Sequence, residues 1–201
     1  KLLFQINPHF LLNTLNSIQW MARMSHQDNI TEFVQRLKKL LSYNLGKEGM
    51  QTTLRTEIDI VKEYIALQQM RYDFVIEMNV EEGSYLEQPT VRMLLQPLVE
   101  NAMKHGIDYM EEPDTGKIIV EFCRKPEQLV FSIYNNGPLI ELEMVEKLLN
   151  EQGKGYGIHN IKERLELYYG ALGNLEVKVT DAKYTCFTVK MPDTLQKKNP
   201  K

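Results

Sequence analysis

The spacing of apolar residues changes once along this chain, near residue 72, and that change restricts the fold more than any other feature. Before it, apolar positions recur every three or four residues. Phe4, Leu11, Leu15, Ile18 and Ala22 form one such stripe, and Leu54, Ile58, Val61 and Ile65 form another. Helices are predicted over 2–24, 28–46 and 54–72, with Asp28 and Thr53 as N-caps and Gly46 and Gly49 separating the second from the third. Pro8 lies inside the first stripe and predicts a kink just before His9.

After residue 72 strands alternate with helices. Phe74 to Val80 reads as a strand and Thr90 to Gly106 as a helix. Ile118, Val120 and Phe122, then Leu129, Phe131 and Ile133 after Pro126-Glu127, read as a hairpin with one buried face. A short helix is expected over 141–150. A second runs over 158–169 and stops at Gly170, and strands over 174–180 and 184–191 turn at Asp181-Ala182. The fold class is therefore α+β. A helical segment, 1–72, precedes an α/β sandwich, 73–195, with helices on one face of a mixed sheet. The polar tail, 196–201, is expected to be disordered.

Composition excludes several function classes. With 24 basic against 27 acidic residues in 201, nothing marks nucleic acid as the main partner. No apolar run approaches the ~20 residues of a membrane helix. Cys123 and Cys186 both fall in alternating apolar stretches and read as packing thiols. The first residues already carry a helical pattern, without an initiator Met, so the chain reads as a fragment of something longer.

Three segments carry candidate chemistry. The first is Gln5-Ile6-Asn7-Pro8-His9-Phe10-Leu11-Leu12-Asn13-Thr14-Leu15-Asn16. His9 falls off the apolar stripe and lines up with Gln5, Leu12, Asn13, Asn16 and Trp20, a mostly polar strip. A solvent-facing imidazole is largely neutral at pH 7 and keeps a free lone pair, so His9 is a candidate nucleophile.

The second is Gly153-Lys154-Gly155-Tyr156-Gly157, directly before a helix. Such a run leaves backbone N–H groups at the positive end of the helix dipole, a ready anion site, although glycine-rich loops also simply turn corners. It lacks the Gly-Lys-Ser/Thr spacing of a Walker A loop.

The third segment is Leu94 to Gly106. On a helix Asn101, Lys104 and His105 point the same way. The amide can hold a hydrated Mg²⁺ and the lysine can pair with phosphate oxygens, whereas the plain reading is a solvated, basic helix end.

Taken together, these segments bring a resemblance. Asn101 to Gly106 resembles the N box of the GHKL ATP-binding superfamily, and Tyr134-Asn135-Asn136-Gly137 resembles its first glycine box. Gly153 to Gly157, followed by Ile158, Asn160, Arg164 and Leu165, resembles its second. Gln5 to Asn16 resembles the phospho-acceptor box of LytS/YesM-type sensor histidine kinases, and Tyr64 to Arg71-Tyr72 the stretch which that family places before its ATP domain. The resemblance implies a Bergerat-type sandwich that binds ATP and Mg²⁺. Asn101 would hold the metal, Lys104 and His105 would approach the phosphates, and Asn135 would meet the adenine amine beside Gly137. Gly153, Lys154, Gly155 and Gly157 would wrap the triphosphate. His9 would take the γ-phosphoryl group and pass it to an aspartate on a response-regulator receiver domain, with Asn13 orienting the ring. A homodimer through the N-terminal helices is expected, because Phe4, Leu11 and Leu15 need a partner surface. So is a place on the cytoplasmic side of a bacterial membrane, reached through segments absent here.

The sequence departs from that superfamily at several points, and Leu139 replaces a second glycine after the first glycine box. Asn135 stands where most members have Asp, which predicts a loss on the order of 1 kcal/mol in ATP binding from a neutral acceptor. Pro97 stands where ATP-hydrolysing relatives place a water-activating Glu, which favours transfer to a side chain over hydrolysis. Phe10 stands where many histidine kinases carry an acid beside the phospho-acceptor. The competing expectation is a catalytically weak nucleotide-binding signalling module.

Overall fold

A computed structural model of the chain describes residues 7–46, 51–107, 110, 115–141 and 158–195. The expected helix over 141–150, the glycine run over 153–157 and the tail beyond 195 fall wholly or largely outside these residues.

The chain opens with an antiparallel helical pair, α1 (Pro8–Met24) and α2 (Asp28–Asn44). Pro8 does not kink α1; it begins it. Asn7 is the N-cap and its side chain accepts from the His9 backbone N–H at 3.0 Å. A proline at the first helical position loses no intrahelical bond, because that N–H would have no partner in the helix anyway. Gln27, not Asp28, occupies the cap position of α2, and Asp28 sits in the first turn, where a negative charge suits the helix dipole. Leu15 and Ala22 are buried on α1, and Val34 and Leu40 on α2.

A short strand, β1 (Gln51–Thr53), leads into α3 (Leu54–Gln69). Thr53 caps α3 as predicted, accepting from the Thr56 N–H at 3.2 Å. Two faces of α3 are used. Leu54, Ile58, Val61 and Ile65 enter the main core. Ile60 and Leu67 meet Leu40, Phe33, Leu37 and Tyr43 of α2 in a second cluster. Glu63 adds ion pairs to Arg36 and Lys39, both at 2.7 Å. Thus α3 joins the helical pair to the sandwich.

The main sheet contains β2 (Val75–Val80), β4 (Lys117–Lys125), β5 (Gln128–Asn135), β7 (Thr185–Pro192) and β6 (Asn174–Val179), in the spatial order β2-β4-β5-β7-β6. β2 pairs with β4 in parallel and every other pair is antiparallel, so the sheet is mixed. Alternation sets its faces. Phe122, Phe131, Val189 and Leu175 lie opposite one another across four strands and are all buried. Helices α3, α4 (Gln96–His105) and α5 (Ile158–Tyr169) supply the other side of that core through Val61, Leu98, Ala102, Ile161 and Leu165. Gly170 ends α5 with φ +60, the left-handed conformation glycine tolerates best, as its position after the helix predicted.

One predicted helix is shorter than expected. Residues 90–95 are not helical: Pro89–Val91 form β3, antiparallel to β1, and a turn with Met93 at φ +57 precedes α4. Apolar residues at Val91, Leu94, Leu95 and Leu98 imitate a helical stripe, but tertiary contacts hold the first three outside the helix.

Candidate functional site

The first candidate side chains lie on the opening turns of α1. His9 and Asn13 are exposed and one turn apart, and the Asn13 amide lies 3.2 Å from His9 Nδ1. The two ends of an amide differ only in which atom donates, so the pair permits two arrangements. With its oxygen toward the ring, Asn13 accepts from Nδ1–H and leaves the Nε2 lone pair facing outward. Phe10 beside it is 69% exposed and offers no acidic group.

The second group of candidates surrounds α4 and the end of β5. Asn101 is half-buried and Lys104 exposed on α4; His105 is the last residue of that helix, and its side chain lies outside the described residues. Asn135 ends β5 and is 3% exposed, its amide oxygen accepting from the Gly137 N–H at 3.2 Å. A Cβ on Gly137 would stand 2.4 Å from the Gly106 carbonyl oxygen, and one on Gly106 would stand 2.5 Å from the Asn135 amide oxygen. Only two glycines let the end of α4 come this close to Asn135. Asn136, the next residue, accepts from Lys117 N at 2.6 Å and donates to Thr115 O at 3.0 Å, which fixes the start of β4.

Thr185 was not anticipated. It lies opposite Asn135 on β7 and is 4% exposed, and its hydroxyl oxygen has no hydrogen-bond partner among the described residues. A buried, unmatched hydroxyl beside a buried amide forms a polar cradle at this end of the sheet, and that donor set fits the polar edge of a purine. The strand register that pairs these two residues could not be read before the sheet order was known.

Lys104 also lines a cleft of about 460 Å³ between α3 and α4, with Tyr64, Gln68, Arg71, Tyr72, Glu100 and Met103. The guanidinium of Arg71 lies 5.0 Å from the Tyr72 ring centroid and adds a second cation. Glu100, the carboxylate nearest in sequence to Asn101, accepts from Gln96 Nε2 at 2.6 Å. Pro97 occupies the first turn of α4, where its missing N–H costs nothing.

Beneath α4 sits Glu57, 1% exposed, whose carboxylate accepts from the backbone N–H groups of Met93, Leu94 and Leu95 at 3.0, 2.8 and 2.9 Å and from the Tyr43 hydroxyl. Burial pushes its pKa up, opposed by the hydrogen bonds from Tyr43 and the three N–H groups. Its sequence signal was available: an acid at position 57 stands on the apolar stripe of Leu54, Ile58, Val61 and Ile65.

The fold agrees with comparisons to known proteins. The profile for histidine kinase-, DNA gyrase B-, and HSP90-like ATPases matches residues 87–195, and the histidine kinase profile matches residues 1–75. The chain belongs to the histidine kinase-, DNA gyrase B- and HSP90-like ATPase family, whose domain implies nucleotide binding. The histidine kinase match falls on the helical part of the chain and the ATPase match on the sandwich. The chain is 30% identical over 191 residues to sensor histidine kinase YesM of Bacillus subtilis, covering 94% of this chain and 32% of YesM. It is 28% identical over 195 residues to sensor protein kinase HptS of Staphylococcus aureus, covering 94% of this chain and 37% of HptS. It thus spans about a third of the length of these curated relatives.

Solved structures agree on the fold. The catalytic domain of histidine kinase ThkA matches with a TM-score of 0.55 at 16% identity, covering 72% of this chain and 96% of that one. The Acinetobacter baumannii histidine kinase AdeS matches at 0.52 and 13%, covering 94% and 96%. ThkA in complex with the response regulator TrrA matches at 0.52 and 20%, covering 94% of this chain and 58% of that one. Among the described residues no helix is long and apolar enough to cross a membrane.

Proposed function

We propose that the chain is the ATP-dependent protein-histidine kinase core of a two-component sensor, phosphorylated on His9. The observation that carries this reading is the exposed His9–Asn13 pair heading α1, in the same chain as a nucleotide-binding fold with a polar purine cradle. Asn135 and Thr185 read the base; Gly106 and Gly137 let it approach. Lys104 would meet the phosphates, with His105, Lys154 and the glycine run, which lie outside the described residues or have side chains that do, assigned to the same role, and Asn101 would hold Mg²⁺. When bound, that metal neutralises charge on the phosphate oxygens.

His9 Nε2 forms an N–P bond to the γ-phosphorus as the bond from that phosphorus to the bridging oxygen of ADP breaks. Asn13 holds the Nδ1–H side of the ring during the attack. The imidazole is exposed, so its released proton passes to water and Phe10 need not be an acid. The phosphoryl group then moves to a receiver-domain aspartate of a response regulator. Pro97 cannot activate water, and Glu100 is engaged by Gln96, which supports transfer over hydrolysis.

The assembly is a homodimer through the N-terminal helices, held on the cytoplasmic side of the membrane by further segments, with 1–72 as the phospho-acceptor and dimerisation part and 73–195 as the ATP-binding part. Incubation with γ-labelled ATP and Mg²⁺ tests the reading. Acid-labile, alkali-stable label is expected on the wild type and none on His9→Gln. Label that persists in His9→Gln, or nucleotide binding with no label on the wild-type dimer, sinks it. The second outcome would favour a nucleotide-binding signalling module.

A further inference from the structure

The end of α2, the first turn of α3 and the turn before α4 meet at one carboxylate. α4 has no side-chain N-cap of its own; its cap position is Leu95, and the N–H groups of Met93, Leu94 and Leu95 all converge on Glu57. That convergence requires Met93 at φ +57, a conformation unfavourable for a side chain with a Cβ. The buried anion compensates, because successive N–H groups wrapped around a carboxylate form an anion nest.

The fourth donor to Glu57 comes from the other part of the molecule. It is the hydroxyl of Tyr43 in the last turn of α2. The contact is reinforced from both sides. The Arg92 guanidinium stacks 4.4 Å from the Tyr43 ring centroid. It also packs so closely on Gly46 that a Cβ there would stand 2.1 Å from Arg92 Nη1. From the far side, Arg164 of α5 donates to the carbonyls of Arg92 and Met93, each at 3.2 Å. One short turn is therefore gripped at once by α2, α3 and α5, and it leads directly into the helix that carries Asn101 and Lys104.

We propose that Glu57 is a positioning residue for the nucleotide-binding helix, and that its hydrogen bond from Tyr43 couples that helix to the helical pair bearing His9. The inference rests on the kinase reading above, and it adds how the two parts stay in register. The two bonds make separable demands. Glu57→Gln replaces one accepting oxygen by an NH₂ group facing N–H donors, so the turn and α4 shift. Tyr43→Phe leaves the carboxylate in its nest and removes only the link to α2.

The test measures nucleotide affinity with a fluorescent ATP analogue and Mg²⁺, and the autophosphorylation rate at saturating ATP, in the 201-residue chain. Glu57→Gln is expected to lose about tenfold in affinity, the cost of one charged hydrogen bond. Tyr43→Phe loses one buried hydrogen bond to a carboxylate and should melt a few degrees lower, yet, folded at the assay temperature, it should keep its affinity and lose about tenfold in maximal rate, a split that a merely destabilised protein would not show. Wild-type affinity in Glu57→Gln overturns the positioning role. Should Glu57→Gln fail to fold, Tyr43→Phe decides alone: a wild-type rate, or a raised KM with the rate unchanged, overturns the coupling. If the wild type takes no label on His9, the kinase reading falls by itself. The affinity of Glu57→Gln, or of Glu57→Asp if that variant does not fold, then still decides the positioning role.

Discussion

At the scale of the residue, the proposed base-binding end of the site rests on two neutral, buried polar groups, Asn135 and Thr185. Asn135 is nearly fully buried with its oxygen committed to Gly137 N–H, and Thr185 beside it is unmatched. A buried polar group without a partner is costly, so this pair should contribute more to ligand binding than to stability. Asn135→Ala is expected to weaken binding of an ATP analogue by about tenfold in calorimetry, the worth of roughly one hydrogen bond of 1.4 kcal/mol. Unchanged affinity would remove Asn135 from the site.

At the scale of the element, α3 works in two directions. Its apolar face belongs to the sheet's core, while Glu63 on another face pairs with Lys39 and Arg36 of α2. The hydrogen bond from Lys39 is the largest influence lowering the Glu63 pKa, with Arg36 adding to it and partial burial opposing both. A carboxylate whose pKa is depressed by folding stabilises the protein above its unfolded pKa, and that stability is lost as pH falls through the folded value. The α2–α3 contact should therefore weaken below about pH 4.3, the ordinary glutamate value. Glu63→Gln is expected to cost at most about 1 kcal/mol of stability at pH 7, read as a slightly lower melting temperature, and to flatten the acid side of the profile. Parallel profiles for the two proteins would rule the ion pairs out as a pH-dependent brace.

At the scale of the whole molecule, the helical pair presents a second apolar face that is exposed among the described residues. The expectation that Leu15 awaits a partner copy is corrected, because it is already buried within the single chain, on a helix that packs against α2. The exposed large apolar residues of α1 are Phe10, Ile18, Trp20, Met21 and Met24, and among them Phe10, Met21 and Met24 stand at 69, 54 and 64% exposure. Phe10 and Met21 stand eleven residues apart, about three helical turns, and so lie on one side of α1 opposite Leu15. Exposed large apolar residues in line mark an interaction surface, and a second copy is the occupant the kinase reading requires. Met21→Glu should shift the chain from dimer to monomer in sedimentation, with little change in melting temperature. A dimer of unchanged affinity would move the interface elsewhere.

Local sequence was sufficient wherever an element is set by its own periodicity and caps. The β4–β5 hairpin, α3 with its Thr53 cap, α5 with Gly170 and the exposed strip of His9 and Asn13 were all legible, because alternation, helical period and turn chemistry act over a few residues. Asn101, Lys104 and Asn135 could be singled out as residue types in a pattern. Tertiary structure alone decided the rest. Val91, Leu94 and Leu95 fit a helix by period, yet pairing with β1 and the pull of Glu57 hold them out of one. Thr185 joins Asn135 only through a strand register set by contacts far apart in sequence. Position 57 advertised itself as an acid on an apolar stripe. That its carboxylate would be gripped by three backbone N–H groups and a tyrosine from another helix follows from packing, which no local pattern encodes.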